Sequence, residues 1–374
     1  MNIEFPEIEI EGPPEERGIQ YGKKAKALIH RSGEIYQGVM AGYGCPWDKA
    51  LKLAGQFAPY IKKHSNELYG ELKGIAKGAD IPLEVVIIIN GRSELLQGHD
   101  WKKSDKKHSM SLDDGCTSLL AMPDVTDGNH LIHAQNWDWR ADCLETSIVL
   151  RVKPDYGPTV LTFVEAGGLA RCGMNSVGIV ITGNSLQSDL DYNRKGIPLS
   201  IIRRQVLQSK NMHGALSAII KSPRAISNNM LVSSTEDCGI EAINLETSPE
   251  DVYFLYPENG ILSHANHFES TIARTKLKDT GLNSNLCSLY RSNRVRRYLE
   301  QKTGSININD FKDALADRFG APHAICSSPV TENNEQGAYM TVATIIMDTK
   351  TQEMHVCKSP YNNKKYSTYS VESN

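Results

Sequence analysis

No two of the eight cysteines stand as Cys-x-x-Cys: Cys45, Cys116, Cys143, Cys172, Cys238, Cys287, Cys326 and Cys357 are scattered along the chain. That spacing argues against a zinc ribbon or a thioredoxin-like redox pair. His-Glu-x-x-His is missing too, and His264 and His267, three apart, have no neighbouring carboxylate pattern to complete a site, so no metal and no cofactor is expected. Charge of one sign is not concentrated anywhere. With acidic and basic residues interspersed and a formal net charge of -3, there is no basic stripe to neutralise nucleic-acid phosphates. The opening Met1-Asn-Ile-Glu-Phe-Pro-Glu-Ile8 is acidic and has neither the basic region nor the apolar core of a signal peptide. A cytoplasmic protein is expected, with most cysteines as small buried hydrophobes in a reducing compartment. Internal repeats and low-complexity tracts are absent, and nothing calls for a membrane.

What is present suits a large core. The 374 residues are 40% hydrophobic and 23% charged, enough for one big domain or two smaller ones. Ile19, Ala25, Leu28, Ile29, Ile35 and Val39 recur at three- and four-residue intervals, predicting one amphipathic helix over 15–41. Further helices are expected over 48–64, 67–78 and 83–96, the last two separated by the breaker Ile81-Pro82. Residues 97–114 are poor in apolar side chains and read as an exposed, mobile linker. Short β-branched runs follow at 116–122, 130–136, 147–152, 159–164 and 177–182, then at 230–233, 239–244, 251–256, 339–348 and 353–357. Helical signals fall between them at 200–208, 212–221 and 288–301. Blocks of strands alternating with blocks of helices favour an α+β fold with helices layered on mainly antiparallel sheets.

Ser111-Leu-Asp-Asp-Gly-Cys-Thr-Ser118 places a cysteine directly after a glycine, and His133-Ala-Gln-Asn-Trp-Asp-Trp139 follows on a strand-like segment. A cysteine is nucleophilic, but near neutral pH it needs a base or a lowered pKa. At the start of a chain it carries both groups itself: a free α-amino group, with a pKa of about 7.7 to 8.0, can take the thiol proton. Gly115 gives the backbone freedom for the thiol of Cys116 to attack the carbonyl before it. Hydrolysis would then release 1–115 from a catalytic chain of 116–374. The plainer reading is a buried strand cysteine after a glycine turn.

Several segments resemble the acyl-coenzyme A:6-aminopenicillanic acid acyltransferase family of self-processing N-terminal nucleophile hydrolases, whose relatives include choloylglycine hydrolases and penicillin V acylases. They are Arg17-Gly-Ile-Gln-Tyr-Gly22, Glu71-Leu-Lys-Gly-Ile-Ala-Lys-Gly-Ala79, Ile89-Asn-Gly-Arg-Ser-Glu94, Asp114-Gly-Cys-Thr117, Gln135-Asn-Trp-Asp-Trp139 and Gly173-Met-Asn-Ser-Val-Gly178. The resemblance runs from about residue 12 to residue 360, with its motifs in the family's order. It implies a four-layer αββα sandwich, two antiparallel sheets between helix layers, with Cys116 opening a central strand and the two fragments staying associated as one domain.

The resemblance also implies roles. Asp138 would contact the nucleophile's amino group and orient that base, against a plain turn aspartate. Trp137 and Trp139 alternate with it and would point to the opposite face, into the core. Asn266 would donate its side-chain amide to the oxyanion, and Asn184 would bind substrate; either residue could instead bond its own backbone. Arg291 would steady the nucleophile or the bound carbonyl, a permanent cation beside a thiol favouring thiolate, with Arg294, Arg296 and Arg297 left on the surface. His264 and His267 read as structural. The expected substrate is a small acyl amide or an acyl-CoA, with water or an amine as acceptor and a homo-oligomer left open. Two other readings share these residues: a papain-like thiol hydrolase using Cys116, His133 or His264, and Asn266 without self-cleavage, and a catalytically silent binding protein of the same fold.

Overall fold

A computed structural model describes residues 4–97, 115–192, 194–329 and 338–372. In chain order they form β1 (Glu7–Gly12), α1 (Pro14–Lys24), α2 (Lys26–Gly42), α3 (Trp47–His64), α4 (Asn66–Ala79), α5 (Leu83–Gln97), β2 (Gly115–Ala121), β3 (Ile132–Arg140), β4 (Ser147–Pro154), β5 (Val160–Glu165), β6 (Cys172–Asn175) and β7 (Ile179–Ser185). The second half adds α6 (Leu199–Leu207), α7 (Met212–Ile220), β8 (Asn228–Glu236), β9 (Gly239–Thr247), β10 (Val252–Leu255), β11 (Ile261–His264), α8 (Thr271–Lys276), α9 (Ser288–Glu300), α10 (Ile308–Leu315), β12 (Tyr339–Asp348), β13 (Glu353–Lys358) and β14 (Ser367–Ser370).

Two sheets carry the strands. One has the order β1-β4-β5-β6-β7-β8-β9-β10 and the other β11-β2-β3-β12-β13-β14. All pairs within them are antiparallel except β1 with β4, which is parallel. Alternation along β2 and β3 divides their side chains between two layers. Leu119, Ala121, Ile132 and Ala134 pack with Val295, Leu299, Phe311 and Leu315 of α9 and α10. The opposite face meets the eight-stranded sheet: Leu120 packs with Leu231 and Ala242, His133 bonds Thr182 and Ser233, and Ser118 bonds Asn184. With α1 to α7 packed beyond the eight-stranded sheet, four layers result, as the family resemblance implied.

The expected single helix over 15–41 is two, broken at Ala25 (φ -108°, ψ 15°). α1 crosses α4 closely. A Cβ on Gly18 would lie 2.2 Å from the Glu71 carbonyl oxygen, and one on Gly74 would lie 2.2 Å from that of Glu15. Gly22 and Gly78 complete the contact one turn on, where added Cβ atoms would sit 2.4 Å and 2.3 Å from carbonyl oxygens. Two of the motifs that carried the family resemblance are thus the two sides of one helix–helix contact. It is clamped by Arg17, whose Nε donates to Glu71 at 2.6 Å, while Arg204 of α6 donates to the other oxygen of Glu71.

Short elements escaped the sequence reading: β1, β6, β11, β14, α8 and α10. Of the expected linker, Gln97 is instead the buried last residue of α5, its Nε2 donating to Ser185 Oγ at 3.0 Å; residues 98–114, including Asp114, lie outside the described residues. Among the described residues no helix is long and apolar enough to cross a membrane.

Candidate active site

Cys116 is the second residue of β2 and is 2% exposed. It shares a strand face with Ser118 and Leu120, so its side chain lies between the sheets. It lines a cavity of about 30 Å³ together with residues of α5, β5, β7 and α6. That volume holds one or two waters.

The backbone atoms of Cys116 are held from the opposite side. Its N–H donates to Asn266 Oδ1 at 2.9 Å, and its carbonyl oxygen accepts from an Arg291 guanidinium nitrogen at 2.7 Å. The same Arg291 nitrogen donates to Thr117 Oγ1 at 2.8 Å, and the other terminal nitrogen to Asn266 Oδ1 at 2.7 Å. Arg291 is 1% exposed because the first turn of α9 points it inward, onto the face of β2 that carries Thr117. Arg294 pairs with Asp317, and Arg296 with Glu258.

Asp138 stands directly across the strand pair from Gly115. A Cβ on residue 115 would lie 2.5 Å from Asp138 Oδ2, so the glycine before Cys116 is required by the carboxylate beside it. Thr341 Oγ1 donates to Asp138 Oδ1 at 2.6 Å. Burial pushes the Asp138 carboxyl up to about 6, against the pull of Arg291 and the Thr341 hydrogen bond. Trp137 and Trp139 point to the other face as expected, Trp137 edge-on to Phe163 and Trp139 edge-on to Tyr339.

Asn266 is brought to Cys116, but its amide is turned the opposite way from an oxyanion donor. Two donors, the Cys116 N–H and Arg291, converge on one spot, and only the amide oxygen satisfies both. Its Nδ2 donates instead to the Ser185 carbonyl at 3.0 Å. The loop is fixed by Glu246, which accepts from His264 Nε2 at 2.8 Å, Glu269 N at 2.6 Å and Ser270 N at 3.1 Å. Asn184 lies off the cavity: its Oδ1 accepts from Ser118 and Asn229, and its Nδ2 donates to the His264 carbonyl. Its neighbours Gly183 and Ser185 line the cavity in its place.

Neither histidine of the papain-like reading is directed at the thiol. His133 has both ring nitrogens on hydroxyls, and burial pushes its pKa down to about 3. His264 has Nε2 on Glu246 and Nδ1 on the Ala265 carbonyl.

Sequence reasoning missed the charged wall of the cavity. Arg92 and Glu94 of α5, Glu165 of β5, Arg171 just before β6 and Arg203 of α6 all line it. Glu165 pairs with Arg92 at 3.1 Å and with Arg171, and accepts the Tyr36 hydroxyl. The signal was in the sequence: charges embedded in apolar runs, as in Leu199-Ser-Ile-Ile-Arg-Arg-Gln-Val-Leu207, are rarely buried without partners or a task.

With this geometry in view, comparison with known proteins is informative. A profile of the family described as acyl-coenzyme A:6-aminopenicillanic acid acyl-transferase matches residues 125–361. The chain is 26% identical over 263 residues, 70% of its own length and 68% of the relative's, to the 40 kDa form of acyl-coenzyme A:6-aminopenicillanic-acid-acyltransferase from Emericella nidulans. Among solved structures it is similar to a mutant of conjugated bile acid hydrolase from Clostridium perfringens, at 13% identity over 68% of this chain and 92% of that one with a TM-score of 0.46. It is also similar to penicillin V acylase from Agrobacterium tumefaciens, at 14% identity over 65% and 83% with a TM-score of 0.42.

Proposed function

The chain belongs to the acyl-coenzyme A:6-aminopenicillanic acid acyl-transferase family, and on that premise we propose that it is a self-processing amidohydrolase or acyltransferase whose nucleophile is Cys116. The observation that carries this reading is the grip on one nitrogen. Asn266 Oδ1 accepts from the peptide N–H of Cys116, and Asp138 lies across from Gly115. Once the Gly115–Cys116 bond is cut, that nitrogen is an α-amine, already oriented by the same acceptor.

In the first reaction, the Cys116 sulfur attacks the Gly115 carbonyl carbon and the C–N bond breaks, giving a thioester and the free amine. Water then breaks the thioester, leaving 1–115 as one fragment and 116–374 as the other. In turnover, the amine takes the thiol proton and the sulfur attacks the carbonyl carbon of an acyl amide. The proton passes to the leaving nitrogen as its C–N bond breaks. Water, or an acceptor amine, attacks the acyl-enzyme, the C–S bond breaks, and sulfur regains a proton. A base within the nucleophile's own residue is close by construction, and Asp138 fixes its direction. Arg291, on the Cys116 carbonyl, holds the strand in register and adds positive charge near the thiol. No disulfide joins any of the eight cysteines, which suits a cytoplasmic setting.

Intact mass tests this directly. Wild type is expected as two fragments divided between residues 115 and 116, and Cys116→Ala as one chain inactive on every acyl amide tried. An uncut wild type that hydrolyses amides overturns the self-processing part. An uncut wild type whose turnover is lost in a folded His133→Gln variant would favour the papain-like alternative.

A further inference from the structure

We infer that His264, held as an imidazolium against Glu246, is a positioning residue for the proposed reaction: it sets the segment whose Asn266 grips the Cys116 nitrogen. This deepens the proposed function and rests on it. His264 ends β11 in the six-stranded sheet, and Glu246 lies on β9 in the eight-stranded one. Their contact therefore ties the two sheets together beside the site, with both side chains fully buried. His264 Nε2 is 2.8 Å from Glu246 Oε1, and Nδ1 is 2.9 Å from the Ala265 carbonyl oxygen. A carbonyl oxygen can only accept. The Glu246 carboxylate already accepts two backbone N–H groups, that of Glu269 on Oε1 and that of Ser270 on Oε2, which favours its acceptor-only form. A neutral imidazole has one N–H to give and an imidazolium has two, so only the charged ring satisfies both of its acceptors.

The pair matters because of what lies between its contacts. One carboxylate takes hydrogen bonds from residues 264, 269 and 270, so both ends of the segment 265–268 are fastened to it. Within that segment Ser288 Oγ accepts from Asn266 N at 2.7 Å, and Asp279 Oδ2 accepts from Phe268 N at 2.8 Å. Asn266 Oδ1 is thereby aimed at Cys116 N, 2.9 Å away, and at Arg291, 2.7 Å away. Burial opposes the charge on His264, but the hydrogen bond from Glu246 and the carboxylates of Glu269 and Glu246 outweigh it, and its pKa stands above the ordinary histidine value. His267, stacked on it at 6.4 Å, is pushed down to about 4 by burial and by the charges of His264, Arg291 of α9 and Arg274 of α8. One histidine of the two is thus charged and the other neutral. As pH rises through the raised value, His264 loses a proton, one of its buried acceptors loses its donor, and one end of the segment is freed.

The protonation state is tested first, by ring-nitrogen NMR shifts in the uncut Cys116→Ala chain, a measurement that needs no turnover. Both nitrogens of His264 are expected to carry protons at about pH 7, above the ordinary value for histidine; a neutral ring at that pH overturns the proposal. Kinetics on the cut wild-type enzyme and the cut fractions of two variants then test positioning. His264→Leu is expected to lower kcat by about 100-fold with KM nearly unchanged, the cost of misplacing reacting groups by about 1 Å. His264→Gln keeps a donor toward Glu246 and is expected to recover most of that loss. In wild type, kcat is expected to fall as pH rises through the His264 value, and His264→Gln, which does not titrate, should lack that limb. A falling limb with the same midpoint in both overturns the proposal. Should His264→Leu fail to fold, the ring shifts and the His264→Gln profile still decide. A cut, active enzyme with a neutral His264 sinks this inference alone, whereas a wild type that neither cuts nor turns over any amide sinks the proposed function and this inference with it.

Discussion

At the scale of single residues, the site is a set of groups arranged around one peptide unit. Asn266 is the residue on which two donors depend. Asn266→Leu removes the acceptor for both the Cys116 N–H and Arg291, and leaving buried donors unpaired is expected to cost about 1–3 kcal/mol. Urea unfolding in a Cys116→Ala background measures it, and Asn266→Asp, which keeps the acceptor, should recover most of the loss. Asp138 acts in the opposite sense. Its carboxyl is raised from 3.8 to about 6 by burial, so the folded uncut chain binds this proton more tightly than the unfolded chain does. Its contribution is complete below pH 3.8, is lost as pH rises through about 6, and leaves the ionised group a burden at pH 7. Asp138→Asn in the Cys116→Ala background is therefore expected to raise the melting temperature at pH 7, with the gain vanishing near pH 4. In the proposed cut enzyme the same change should slow turnover of acyl amides by about 100-fold or more, since the freed amine loses its orienting charge.

At the scale of elements, what the sequence disclosed depended on length and period. The long strand β12 and the helices α3 to α6 are periodic over enough residues to be recognised. β6, β11 and β14, four residues each, present two side chains per face, too few for an alternation to stand out. The break at Ala25 was hidden because the apolar spacing continues through it; the close crossing at Gly18, Gly22, Gly74 and Gly78 is a property of two helices and appears in neither alone. Cys116, Asp138, Asn266 and Arg291, expected from motif order, stand close together in the structure, though Asn266 presents its oxygen rather than the expected donor. The arginines of the cavity were not legible in the sequence, being spread over α5, α6 and the segment before β6. The crossing makes its own prediction. Gly74→Val puts side-chain atoms where the Glu15 carbonyl stands, forcing α1 from α4 at a cost of about 3 kcal/mol or more. A lower urea midpoint checks it, with Gly38→Val, at a helical glycine with open space around it, showing what a β-branched residue in a helix costs on its own.

At the scale of the whole molecule, the segment before Cys116 is part of the fold rather than an appendage. β1 pairs with β4 over six residues. Tyr21 bonds Gly167 and Gly168, Asn90 bonds Gly167 and Leu169, and Glu71 holds Arg204 with both side chains fully buried. Breaking such a buried pair is strongly unfavourable. The cut protein is accordingly expected to elute from gel filtration as one species containing both fragments, at any dilution that leaves it folded. A separate, later peak of free 1–115 would contradict this.

The parallel strand β1 has a further consequence, for reversibility. Before cutting, β1 finds β4 within a single chain, and refolding is first order in protein. If the chain is cut as proposed, the same strand then belongs to a different molecule, and recovery from full unfolding needs an encounter between two chains and slows with dilution. The uncut Cys116→Ala protein should regain its structure after urea at a rate independent of concentration, while the cut protein regains it only in proportion to how often its parts meet. Processing would thus act as a ratchet: the working form is assembled once, while its halves are still tethered, and is afterwards kept by the slowness of coming apart.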